Sequence, residues 1–116
     1  MTDKKILLIG DDISVDKILQ SILQEEYQCE VKINYPPDCD NNYVQDYNPT
    51  VIIASGRRYG DFVNDLKSDL RSKDIPIIMM SYSYPGEYFL NIAADDFMSK
   101  PLNLTILLEK VKNYLY

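Results

Sequence analysis

Histidine is absent from this 116-residue chain. That absence excludes Ser-His nucleophilic pairs, phosphohistidine relays and His-based metal sites. Glycine is scarce, at four residues. No glycine-rich phosphate loop follows any apolar run, since Gly56 and Gly60 do not make one. The two cysteines, Cys29 and Cys39, lack metal-ligand spacing, and in a cytosolic domain they are reduced thiols. No apolar run nears the roughly 20 residues that span a bilayer, and the start, Met-Thr-Asp-Lys-Lys, has no signal-peptide apolar segment. Basic residues are outnumbered 12 to 18, for a net charge of −6, which disfavours nucleic acid as a partner. The chain is predicted to be cytoplasmic, with neither membrane nor nucleic acid as partner.

What is present is ordinary for a globular domain, with 46% apolar and 26% charged residues, and residues 1–116 are predicted to form one domain with a real core. Ten tyrosines against three phenylalanines hint at protein contacts, because tyrosine tolerates partial exposure and favours interfaces.

Short apolar runs alternate with helical patterns along the chain. Ile6-Leu7-Leu8-Ile9-Gly10 has the form of a strand buried on both faces, with Asp11-Asp12 at its carboxyl end. Ser14 is the predicted cap of a first helix running to about Glu26, with Val15, Ile18, Leu19, Ile22 and Leu23 on its buried face. Cys29, Val31 and Ile33 alternate with Glu30 and Lys32, as in a strand nearer the sheet edge. A short or irregular second helix is expected between Pro36-Pro37 and Asn48-Pro49. A central strand over Val51–Ala54 follows and delivers Ser55. Asp61 is the predicted cap of a third helix carrying Phe62, Val63, Leu66 and Leu70. Pro76 to Met80 forms a fourth strand ending at Ser81, and a short fourth helix is expected around Glu87 to Ala93. Asp96-Phe97-Met98 makes a minimal fifth strand before Lys100. Asn103 caps a last helix that buries Leu104, Leu107, Leu108, Val111 and Leu115. Five alternations of strand and helix predict an α/β doubly wound fold, in which chemistry gathers past the carboxyl ends of the strands.

Asp11-Asp12, Ser55, Ser81 and Lys100 fall at those ends. With Ile75-Pro76-Ile77-Ile78-Met79-Met80-Ser81 and Ala93-Ala94-Asp95-Asp96-Phe97-Met98-Ser99-Lys100-Pro101, the chain resembles the receiver domain of two-component response regulators over its whole length. The resemblance implies a flavodoxin-like five-stranded parallel sheet of order 2-1-3-4-5 with about five helices. It also implies roles by position. Asp11 and Asp12 match the acidic pair that holds Mg²⁺, Ser81 the hydroxyl that bonds the phosphoryl oxygen, Lys100 the lysine that pairs with it, and Phe97 the switch aromatic. Asn48-Pro49-Thr50 matches the turn before the acceptor strand.

The acceptor position itself holds Ser55 where the family has aspartate. A serine hydroxyl is a poor nucleophile without a base, and losing a carboxylate removes an Mg²⁺ ligand. Arg57-Arg58-Tyr59-Gly60 replaces the family's usual Met-Pro loop, Tyr82 replaces a small residue after Ser81, and the span from Ser81 to Lys100 is short. The resemblance therefore implies a pseudo-receiver: non-enzymatic, without a cofactor beyond weak or lost Mg²⁺ at Asp11 and Asp12, and acting by phosphorylation-independent contact. A histidine kinase, an output domain or a second copy are its expected partners.

Several residues carry two readings. Asp11-Asp12 is a vestigial site or a polar strand end. Lys100 pairs structurally with Asp11 or Asp12, or serves as a ligand group. Arg57-Arg58 is a solvated pair, or one arginine covers the acidic pair in place of the metal. Tyr82, Tyr84, Tyr88 and Phe89 are packing residues or an interface patch around the fourth helix and fifth strand. Two rival functions also stand: a receiver phosphorylated at a non-standard acceptor, and a small-molecule-binding flavodoxin-like module.

Overall fold

The structure, a computed structural model, describes residues 3–81, 91–100 and 103–116. Five parallel strands, β1 (Lys5–Ile9), β2 (Glu30–Asn34), β3 (Val51–Ser55), β4 (Ile77–Ser81) and β5 (Asp96–Ser99), form one sheet ordered β2-β1-β3-β4-β5. The fold is flavodoxin-like. Among the described residues the helices are α1 (Ile13–Tyr27), α2 (Asn41–Tyr47), α3 (Gly60–Ser68) and α4 (Leu104–Leu115), and a 3₁₀ turn at Arg57–Tyr59 leads from β3 into α3. The helix expected around Glu87 to Ala93 falls largely outside the described residues. Among the described residues, no helix is long and apolar enough to cross a membrane.

The continuous apolar runs are explained by two cores. Successive strand side chains point to opposite faces. Ile6, Leu8, Val51, Ile53, Ile78 and Met80 pack with Leu19 and Leu23 of α1 and with Leu107, Val111 and Leu115 of α4. Leu7, Ile9, Ile52, Ala54, Ile77 and Met79 pack with Val44 of α2 and with Val63 and Leu66 of α3. A sheet covered on both faces has no polar side to show. β2, at the edge, keeps the alternation, with Val31 buried between exposed Glu30 and Lys32.

Helix ends depart from expectation in instructive ways. Asp12, not Ser14, caps α1: its backbone is extended, and its carboxylate accepts from the Ser14 and Val15 amides at 3.0 and 3.4 Å. Ser14 lies inside the first turn, two residues too late to cap. Asp40 caps α2 through the Tyr43 amide, and left-handed Asn48 closes that helix ahead of Pro49. Asp61 does not cap α3, which starts at Gly60 directly from the 3₁₀ turn; Asp61 instead lies in the first turn, where its charge complements the helix dipole. Leu70 is beyond the end of α3 and 81% exposed. Asn103 caps α4 as expected, accepting from the Ile106 amide at 3.1 Å, although Leu104 is partly exposed.

The rotation of α1 also differs. Val15 and Ile18 are 47% and 61% exposed, while Asp16, Leu19, Leu23 and Tyr27 are buried. Gln20 and Gln24 donate to the Val31 carbonyl and fix the helix against β2. Asp16 fits there because Gly10 has no side chain. A Cβ on Gly10 would stand 1.9 Å from Asp16 Oδ2.

Candidate functional site

The site is assembled where β1, β3, β4 and β5 end. In-register pairing of Ser55 with Met80 and of Ser81 with Ser99 brings the carboxyl ends to one level. The ladder continues one step past Ser55, as the Gly56 amide donates to the Met80 carbonyl at 2.9 Å. The Lys100 amide donates to the Ser81 carbonyl at 2.8 Å, tying the end of β5 to that of β4.

A cavity of about 300 Å³ opens there, lined by Asp11, Asp12, Ser55 and Lys100 on its polar side and by Val15, Leu19 and Met80 on its apolar side. Four of the sequence-predicted residues thus meet in one place. Ser81 is buried at the end of β4 but does not line this cavity among the described residues. Phe97 is half-buried and packs against the second core. Tyr82, Tyr84, Tyr88 and Phe89 lie outside the described residues.

Lys100 Nζ is 3.3 Å from Asp11 Oδ1 and 3.4 Å from Oδ2. The lysine side chain is only 12% exposed, against 35% for Asp11. Gly56 makes room for the pair. It has φ +136°, and a Cβ there would come 3.2 Å from Asp11 Oδ2 and 3.4 Å from the Tyr59 ring, so any other residue is both strained and crowded. Arg58 does not reach the acidic pair. Its Nη2 donates to the Tyr59 hydroxyl at 3.0 Å, and its guanidinium lies 5.1 Å from the Tyr59 ring centroid. The cation beside Asp11 is therefore Lys100; the side chain of Arg57 is outside the described part.

Mg²⁺ prefers near-octahedral oxygen ligands, with carboxylates carrying the charge. Asp12 spends its carboxylate on the α1 cap, Asp11 faces the Lys100 ammonium, and the third strand offers only the Ser55 hydroxyl. Among the described residues no group of three acidic, cysteine or histidine side chains could hold a metal. This donor set does not fit a tight Mg²⁺ site.

Sequence reasoning missed a buried polar cluster beneath the site. Asp16 is 1% exposed. Its Oδ2 accepts from the Tyr35 hydroxyl at 3.0 Å, and its Oδ1 has no hydrogen-bond partner among the described residues. Burial pushes this carboxyl above the ordinary carboxylate value; the Tyr35 hydrogen bond offsets part of that, and the charges of Asp11 and Asp12 add to it. Burial, with the neighbouring Asp16, pushes the Tyr35 hydroxyl up to about 12. The Tyr59 hydroxyl donates to the Gly10 carbonyl at 2.6 Å. A signal was available: Asp16, Leu19, Leu23 and Tyr27 recur at helical spacing, with a glycine just before the acidic pair. Both thiols are free and buried, and burial pushes Cys39 up to about 12, which leaves it unreactive.

No protein-family model and none of the curated proteins matches the sequence. Solved structures do. The chain is similar to the signal receiver domain of a DNA-binding response regulator from Colwellia psychrerythraea, at 22% identity over 96% of this chain and 97% of that one, with a TM-score of 0.83. It is similar to the chemotaxis protein CheY4 of Vibrio cholerae, at 23% identity over 98% of this chain and all of that one, with a TM-score of 0.82. It is also similar to the receiver domain of a sensor histidine kinase from Pseudomonas aeruginosa, at 14% identity over 98% of both chains, with a TM-score of 0.73; a magnesium ion is coordinated in that protein's active-site cleft. The chain has the receiver-domain fold of two-component signalling proteins.

Proposed function

We propose that this chain is a pseudo-receiver, a cytoplasmic signalling domain that acts through protein contacts without accepting a phosphoryl group. One observation carries the reading: at the end of β3, where a receiver resembling this chain places its acceptor aspartate, the cavity presents Ser55. The chain has no histidine to activate that hydroxyl. The lysine that would meet an incoming phosphoryl group is instead paired with Asp11. Phosphoryl transfer depends on an in-line nucleophile and on cations that offset charge on the transferred group. Here the nucleophile is weak and the cation is already neutralised. The Asp11–Lys100 pair ties the β1–α1 loop to the end of β5, favouring one arrangement of the surface offered to a kinase, an output domain or a second copy.

The test is a ¹H–¹⁵N spectrum with and without beryllofluoride and Mg²⁺, a phosphoryl mimic that needs an acceptor carboxylate. The wild type is expected to show no change and Ser55→Asp to shift residues around the cavity. A saturable response of the wild type on Asp11, Ser81 and Lys100 contradicts the proposal.

The apolar wall of the cavity, formed by Val15, Leu19 and Met80, supports a second reading as a small-molecule module. A melting shift with a nucleotide or flavin would favour it.

A further inference from the structure

A second cleft, of about 490 Å³, lies between the segment after β2 and the start of α3, and the residues around it are distinct from those of the acidic cavity. Its aromatic lining is Tyr35, Tyr59 and Phe62, and its carboxylates are Asp61 and Asp65. These two aspartates are one turn apart on α3 and so share a face. Two of the aromatic rings are anchored from below. The Tyr35 hydroxyl donates to buried Asp16, and the Tyr59 hydroxyl donates to the Gly10 carbonyl. With one hydroxyl held by α1 and the other at the end of β1, the ring bodies are left as walls of the cleft.

The cleft also contains a cation. Arg58 lines it, and its guanidinium stands 5.1 Å from the Tyr59 ring centroid while Nη2 donates to the Tyr59 hydroxyl at 3.0 Å. Arg58 is exposed, and among the described residues neither Asp61 nor Asp65 forms an ion pair with it. Aromatic faces attract cations, and a planar guanidinium both stacks on a ring and forks onto a carboxylate, which an ammonium does not. Tyrosine walls, two uncommitted carboxylates and a resident guanidinium on an exposed side chain define one chemistry.

We propose that this cleft is a guanidinium-binding site, occupied in the free chain by its own Arg58, which an external guanidinium displaces. The external group is either a free guanidino compound or an arginine side chain of a partner peptide. This assignment is independent of whether Ser55 accepts phosphate.

The probes are agmatine and the blocked tripeptide Gly-Arg-Gly, with Gly-Lys-Gly as the ammonium control, titrated into the whole chain and followed by ¹H–¹⁵N shifts. Removing the resident cation in Arg58→Ala is expected to tighten guanidinium binding by about tenfold, with shifts on Tyr35, Tyr59 and Phe62. Adding Asp61→Asn and Asp65→Asn to that variant is expected to abolish the gain. Tighter binding of the peptide than of agmatine identifies a partner's arginine as the ligand; equal or weaker binding identifies a free compound. The proposal is overturned if Arg58→Ala, folded by its spectrum, binds no better than wild type. It is equally overturned if Gly-Lys-Gly matches Gly-Arg-Gly, or if the shifts map to Asp11 and Lys100.

Discussion

Asp16 occupies the first turn of a surface helix, where a carboxylate ordinarily faces water, yet its side chain is packed against Gly10 and bonded to Tyr35. Gly10 and Asp16 are therefore matched. Gly10→Ala drives a Cβ into the carboxylate and is expected to destabilise the chain by about 1–3 kcal/mol, the usual cost of overpacking. Adding Asp16→Ala removes the clash, so the double variant should recover much of that loss in a urea-unfolding cycle. A pH dependence also follows. Asp16 is raised above its unfolded value of about 3.8, so the folded state holds its proton more tightly than the unfolded chain does. Its favourable contribution is complete below the unfolded value and is lost as pH rises through the folded one. Asp16→Asn removes this dependence. The melting temperature of the variant relative to wild type should therefore rise as pH increases above the unfolded carboxyl value of 3.8; a constant difference would show that Asp16 keeps an ordinary carboxyl.

At the scale of elements, the apolar pattern of α1 holds two overlapping stripes with one period, Val15-Ile18-Ile22 and Leu19-Leu23-Tyr27. Periodicity identifies the helix but does not say which stripe faces the sheet. The choice is made by contacts outside the helix itself: the fit of Asp16 over Gly10 and the bonds from Gln20 and Gln24 to Val31. Leu23→Ala is accordingly expected to cost about 2–5 kcal/mol, whereas Ile18→Ala should stay within about 0.5 kcal/mol. Chemical denaturation of the two variants checks this, and equal losses would put both stripes in the core. The cap of α1 was missed for a related reason. Asp12 and Ser14 are both good capping types, and only the extended backbone at Asp12 decides between them. Asp61 was misplaced because the 3₁₀ turn at Arg57–Tyr59 moves the start of α3 two residues earlier.

At the scale of the whole molecule, alternating apolar runs and helical patterns were enough to specify the doubly wound sheet, because the three strands between the two edge strands must be covered on both faces. The meeting of Asp11, Asp12, Ser55 and Lys100 was legible for the same reason, since parallel strands deliver their carboxyl ends to one side. The contacts that brace the assembly were not legible. Lys67 of α3 pairs with Asp95 just before β5, and its ammonium also donates to the Lys73 and Ile75 carbonyls. Asn41 and Asp69 join α2 to the turn after α3. Such pairs leave no local pattern, because each partner alone is an ordinary polar surface residue. The Tyr35–Asp16 and Tyr59–Gly10 bonds are likewise invisible locally, and they connect the guanidinium cleft to α1 and to the end of β1.

The central claim, that the receiver-like cavity of this chain accepts no phosphoryl group, is tested most directly by intact mass after incubation with acetyl phosphate and Mg²⁺, for wild type and Ser55→Asp. The account predicts an unchanged wild-type mass, with one phosphoryl group gained by the variant. A phosphoryl adduct on the wild type would contradict it, and fragmentation would then locate the acceptor that this chain uses in place of an aspartate.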